Sequence, residues 1–399
     1  MKDIIIIGSG IAGLYSAYCI HKLSPHVSFI ILEKNSKKWI GGRTNNESFY
    51  GSIIPTGAGV ARKNKDKILL SLLNDLEIKY SEFNVEPYYS TEIDNVVNIN
   101  EVMLELKKIS NKNAPFHIFA RKILGNKKYD DFVTSAGYRD YENAGAEDVL
   151  KHYGMEDNAC CWKGIYINWN HLVAALLGII GTNKIKTSMN VVNITKRQHE
   201  GYNIETSTGK KFICNKVIIA TTIDSLCQLF PSHHVYAGIK PQNFLRLYGK
   251  FSAKSVEIMK EYVNGFIIVP GPLQKIIPMS NDIYMIAYSD GANATYLKDY
   301  IENTAENRDL YRDLLTTALG VKAPLKLLAI KGYYWDIGTH YYTPLPNKYK
   351  TRKEFIYDAQ HPSPGVLVVG EVVSLHQGWV NGALESVHSV LTGKNGLIK

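Results

Sequence analysis

Three glycines near the start of the chain, Gly8, Gly10 and Gly13, follow the run Ile4-Ile5-Ile6-Ile7 in the spacing G-x-G-x-x-G. Four consecutive β-branched residues suit a strand buried on both faces, as in the middle of a parallel sheet. The glycines then predict a tight turn at Gly8, close approach of the backbone to a pyrophosphate at Gly10, and tight packing of the next helix at Gly13. That helix, expected over 11–23, would hold the anion on its first amides, around Ile11 and Ala12. A second strand over 28–32 ends in Glu33, followed by Lys34, twenty positions after Gly13. A carboxylate there can bind a ribose with a free 2′-hydroxyl, which points to FAD or NAD rather than NADP.

The 399 residues suggest two or three domains, and 45% hydrophobic with 21% charged residues is an ordinary globular balance. The first strand begins near residue 4, so no cleavable leader is expected, and the apolar stretches fall short of the roughly 20 residues that cross a bilayer. A soluble, cytoplasmic protein is therefore expected. Five cysteines without a C-x-x-C pair suggest reduced thiols and no metal site; the adjacent Cys160 and Cys161 are read as neighbours that rarely reach disulfide geometry. The net charge of +9 is spread along the chain without long basic runs, which argues against a nucleic-acid groove.

Further along, Gly41-Gly42-Arg43 and Gly57-Ala58-Gly59-Val60 are glycine-rich segments that regular helix cannot contain. Arg43 can fork to a phosphate, and the small residues let a flat ring lie against backbone. Helices are expected over 66–76, 99–108, 115–124, 129–136, 146–153, 168–180, 297–304 and 308–319. Strands are expected over 184–194, 202–207, 211–214, 216–220, 244–251, 266–269, 283–288 and 326–334, and a last strand from 365 leads to Gly370-Glu371. The segment 378–383 opens a final helix; Glu371 could bind a ribityl hydroxyl, and the amides of Trp379 and Val380, with Ala383 beyond, could face a flavin's pyrimidine oxygens or a phosphate.

Three separated blocks together resemble the FAD-dependent flavin amine oxidases, the monoamine and polyamine oxidase group with its protoporphyrinogen-oxidase and desaturase cousins. They are 4–13 with Glu33 and Gly41-Gly42-Arg43, then 190–220, then Gly370-Glu371 with 378–386. The resemblance implies an α/β fold: a Rossmann-type FAD domain built from 1–80, 163–232 and 361–399, and a sheet-and-helix substrate domain from 81–162 and 233–360. It implies that Gly57, Ala58, Gly59 and Val60 line the flavin and that Val191 bridges to the adenine through its main chain. It also implies that two aromatic rings align a neutral amine for hydride transfer, Trp379 and, from the segment Trp335-Asp336-Ile337-Gly338-Thr339-His340-Tyr341-Tyr342, Tyr341.

Two departures from the family pattern stand out. His340 occupies the place of the cysteine that binds flavin covalently in some members, so FAD is expected without a covalent bond, with attachment through His340 as the variant. Arg246 stands where the family has a flavin-side lysine, with Lys250 nearby, and an arginine does not deprotonate near neutrality. The expected reaction is oxidation of an amine C–N bond to an imine, with O2 yielding hydrogen peroxide. A dehydrogenase acting on C–C bonds and a flavin-binding scaffold with decayed catalysis remain as alternatives, and the oligomeric state is open.

Overall fold

The computed structural model describes residues 1–155, 161–280 and 282–392. Its first sheet runs in the order Val191–Lys196, Tyr202–Thr206, Lys211–Ile219, Lys2–Ile7, Phe29–Leu32 and Ile185–Lys186, and Val366–Val368 adds to Lys211–Ile219. Lys2–Ile7 pairs in parallel with both neighbours, and its alternation splits the isoleucines between two cores. Ile4 and Ile6 pack with the helices Ile11–Leu23, Trp169–Ile180 and Val380–Thr392; Ile5 and Ile7 pack on the other face with Ile223, Phe355 and Val368. Burial on both faces is why this strand is uniformly aliphatic.

The second sheet runs Leu327–Tyr342, Ile239–Phe251, Ile283–Asp290, Lys275–Pro278, Ile267–Ile268 and Tyr88–Tyr89. The helices Ala253–Tyr262, Gly291–Leu297 and Ala305–Leu319 cover one face through Leu245, Leu247, Met259 and Tyr311. The helices Ile99–Lys107, Phe116–Ala136 and Ala146–His152 form a separate core around Phe116 and Phe132. The two helices expected over 115–136 are one element interrupted at Gly125, whose φ of 75° only glycine adopts readily.

Several boundaries differ from expectation. The helix expected over 297–304 lies earlier, at Gly291–Leu297; Thr304 instead caps the next helix by accepting from Asn307 N–H at 3.2 Å. The pieces expected over 211–214 and 216–220 are one strand, and the strand expected to end at 334 continues to Tyr342. Helices at Ile223–Leu229, Ala253–Tyr262 and Arg352–Gln360 were not foreseen. Cys161 is disulfide-bonded, which corrects the expectation of uniformly reduced thiols, while Cys19, Cys214 and Cys227 are free. Cys160 lies outside the described residues. Among the described residues no helix is long and apolar enough to cross a membrane, and no cluster of ligating side chains could hold a metal.

Candidate active site

A cavity of about 410 Å³ runs along the carboxyl ends of the first sheet. Gly8, Gly10, Ile11, Ala12, Glu33 and Lys34 line one end. Gly8 has a φ of 102°, and a Cβ added to it would sit 2.4 Å from Ala220 O. A Cβ on Gly13 would lie 2.0 Å from Gly8 O, so Gly13 lies beneath the loop and does not line the cavity. Gly10 is the converse, with no heavy atom within 4 Å of its would-be Cβ. That free space beside the N-terminus of Ile11–Leu23 fits an anion held on backbone amides. Glu33 is buried, with Oε2 accepting from Ser9 N–H at 2.8 Å and Ser9 Oγ at 2.7 Å, and Oε1 from Asn35 N–H at 2.9 Å. It therefore fixes the glycine turn and presents its carboxylate to the cavity. Val191 lines the same end, as does Thr221, whose buried Oγ1 has no hydrogen-bond partner among the described residues.

Gly42, Arg43, Gly57, Ala58, Gly59, Gly370, Glu371, Val380 and Ala383 line the middle of the cavity, whereas Val60 faces a second, adjoining one. Arg43 Nη1 donates to Gly338 O at 2.5 Å and to Glu371 Oε1 at 3.1 Å, so part of its fork is spent on this pair rather than on a phosphate. His340 is buried away from the cavity wall; Nδ1 donates to Glu371 Oε1 at 2.5 Å, and Nε2 accepts from Ile223 N–H at 3.2 Å. With both ring nitrogens engaged, His340 is not presented for attachment to a cofactor.

Burial alone would raise the Glu371 carboxyl, but the contact and hydrogen bond from His340, the Arg43 guanidinium and the Gly378 N–H outweigh it and hold it at about 2. The stability tied to this lowered value is present above the ordinary 4.5 and lost as pH falls toward 2, on the order of 3 kcal/mol. Asp290 has the opposite sign. Burial and the neighbouring Asp140 push it up from 3.8 to about 7, so its contribution is present at acid pH and lost as pH rises through 7. Melting temperature should therefore peak in mild acid; Glu371→Gln should flatten the acid limb and Asp290→Asn the neutral one, as read by thermal melts across pH.

The second cavity, about 850 Å³, meets the first at a throat. Gly59, Tyr138, Asp140, Tyr288, Gly378 and Trp379 line both. Trp379 is held there by Nε1 donating to Asp66 Oδ2 at 2.8 Å and by an edge contact with Trp169 at 6.1 Å. Tyr288 faces Gly59, whose would-be Cβ lies 3.9 Å from its ring, and meets Tyr138 edge-on at 5.8 Å. Arg246, paired in register with Tyr288, lines the first cavity with its guanidinium 3.4 Å from the centre of that ring, and its buried Nε has no hydrogen-bond partner among the described residues. Lys250 points elsewhere, to Asp282.

Tyr341 does not line either cavity, which corrects its expected place opposite Trp379. Alternation along Leu327–Tyr342 turns Trp335, Ile337 and Thr339 toward the first cavity. Thr339 is the last of these, and Tyr341, roughly 7 Å further along at about 3.3 Å per residue, packs on the helical core instead. The other rings that line both cavities are Tyr138 and Tyr288. Tyr288 ends a strand that the sequence reading included, but its pairing with Arg246 depends on a register between distant segments. Tyr138 and Asp140 follow the helix end at Gly137 and carry no motif.

Residues 6–76 match the model of an NAD(P)-binding Rossmann-like domain. An uncharacterized protein of Acanthamoeba polyphaga mimivirus is 19% identical over 98% of this chain and 93% of its own length. Among solved structures, cyclohexylamine oxidase from Brevibacterium oxydans superposes with a TM-score of 0.76 at 16% identity, over 97% of each chain. A putrescine oxidase redesigned in its cofactor binding superposes at 0.74 with 14% identity, again over 97% of each chain. Likeness this complete at such low identity is a likeness of fold: the chain shares with these two oxidases an architecture of a Rossmann-like domain and a second, sheet-based domain.

Proposed function

We propose that the chain binds FAD without a covalent bond and oxidises the C–N bond of a small amine to an imine. The observation that carries this reading is the continuous cavity. It begins at the open space over Gly10 and the carboxylate of Glu33, passes the small residues Gly57, Ala58 and Gly59, and ends at a throat of aromatic rings opening onto a second chamber. Glu33 and the main chain at Val191 would hold the adenosine, the amides of Ile11 and Ala12 the pyrophosphate, and Glu371 the ribityl chain. When bound, the flavin accepts the hydride and supplies the oxidising chemistry. Trp379, Tyr138 and Tyr288 would orient the amine in the throat and exclude water from it. The domain division 1–80, 163–232 and 361–399 against 81–162 and 233–360 belongs to this proposal.

The electron acceptor is O2 in this reading, with hydrogen peroxide as product. The second reading, a dehydrogenase that passes electrons to another acceptor, is kept by Arg246, which lines the cavity where the resemblance has a lysine and cannot deprotonate as a buried lysine can. Purified protein should be yellow and release FAD on acid denaturation. In air, an amine that bleaches the flavin should yield peroxide in equal amount; bleaching without peroxide would select the dehydrogenase reading, and colourless protein that takes up no FAD would end both.

A further inference from the structure

Behind the throat lies a group of charges that neither sheet nor cavity shape requires. Lys275 is fully buried, its ammonium has no hydrogen-bond partner among the described residues, and its Nζ sits 2.5 Å from the centre of the Tyr138 ring that lines the throat. An ammonium withdrawn from water costs several kcal/mol unless compensated. The compensation is electrostatic, from Asp140 and Asp290, while Arg246 opposes it. Asp290 is committed: its Oδ1 accepts from Arg139 N–H at 2.8 Å and Gln274 Nε2 at 3.2 Å. Asp140 is placed differently, because it lines both cavities and accepts from the Tyr153 hydroxyl.

We infer that Asp140 receives the ammonium head of the incoming amine in the throat and takes its proton, with Lys275 as the positioning residue that sets how readily it does so. The inference rests on the amine-oxidising reading above. The step is a balanced proton transfer: R–CH2–NH3⁺ and the Asp140 carboxylate become R–CH2–NH2 and the Asp140 carboxylic acid, and the proton later leaves through the larger chamber. Its purpose is chemical, since the nitrogen lone pair must be free before a hydride can leave the adjacent carbon. Three rings around one carboxylate are also a good receptor for a cation before it is neutralised.

The groups that act on Asp140 come from every side: Tyr138, Tyr141 and Tyr153 from the helical core, and Arg246, Lys275 and Asp290 from the second sheet. Removal from water raises its carboxyl, while the Tyr153 hydrogen bond, Lys275 and Arg246 pull it back. Burial pushes Lys275 well below its ordinary range, with the two aspartates resisting. Proton affinities drawn together in this way are the arrangement expected of a transfer site.

The test is the pH profile of anaerobic flavin bleaching by benzylamine, in the FAD-loaded protein and in Asp140→Asn and Lys275→Met. Asp140→Asn should keep its FAD, lose about 10²-fold in bleaching rate near neutrality, and recover as pH approaches the amine's own pKa. Lys275→Met removes a cation and should move the acid limb up by about one unit, and Tyr153→Phe should move it the same way by at least as much, since its hydrogen bond lowers the Asp140 carboxyl more than Lys275 does. If Asp140→Asn bleaches with the parent's rate and profile, the inference is overturned while the amine reading stands. An unmoved limb in Lys275→Met removes the positioning role. If neither benzylamine nor other amines bleach the unmodified protein, the amine reading itself fails and this inference with it.

Discussion

Gly10→Val is expected to fold like the parent chain and fail to retain FAD, whereas Gly13→Ala is expected to lose the fold. The difference follows from what each added side chain meets. Gly10 has φ −67° and ψ 177°, a conformation that valine adopts readily, and the space its side chain would enter is cavity. Valine there fills the room a pyrophosphate needs. Gly13 offers no such room, because its Cβ would lie 2.0 Å from the Gly8 carbonyl oxygen, a rigid backbone atom in the turn that joins strand to helix. Relief requires moving Ile11–Leu23 off the sheet, at a cost of more than about 3 kcal/mol. Urea melts and bound FAD, measured on both variants, separate the outcomes. Loss of stability in Gly10→Val, or normal stability in Gly13→Ala, would show that the turn does not work as described.

Trp379→Ala is expected to retain the yellow cofactor and lose on the order of 10²-fold in the rate of anaerobic bleaching by an amine. The ring lines both cavities at their junction and is fixed at two points, Asp66 and Trp169. Trp379→Phe keeps an aromatic wall and gives up the hydrogen bond, so an intermediate rate is expected. Asp66 would keep its ion pair to Arg62 at 2.8 Å in both variants, which limits the disturbance to the throat. Rapid-mixing absorbance gives the rate, and fluorescence of FAD released on denaturation gives the occupancy. Equal loss of FAD and of rate would make Trp379 a packing residue for the cofactor and not a wall of the amine site.

What the sequence revealed follows from how far each feature depends on distant parts of the chain. The turn at Gly8, the helix after it and Glu33 at the end of the second strand are set by about thirty consecutive residues, and local backbone geometry suffices to read them. The blocks around Glu371 and Trp379 are remote, and they were legible only through resemblance. The throat was not legible. Tyr138, Asp140, Lys275 and Tyr288 reach it from a helix end and two strands, and only tertiary packing and strand register bring them together. Tyr341 failed for a related reason: it was assigned through the resemblance alone, in a stretch beyond the expected end of the strand at 334, whereas the strand continues to Tyr342 and carries it onto the helical core. The Arg43–Glu371–His340 group was also hidden, since each of its members has an ordinary role when considered alone.

The central claim is that this cavity carries FAD and that the throat delivers an amine to it. The most direct measurement is the absorbance of FAD-loaded protein during anaerobic addition of amines, with the Trp379→Ala variant alongside. The account predicts that the oxidised flavin band bleaches with one equivalent of amine in the parent protein and does so far more slowly in the variant. A band that persists with monoamines, diamines and polyamines alike, in protein shown to hold FAD, would contradict it.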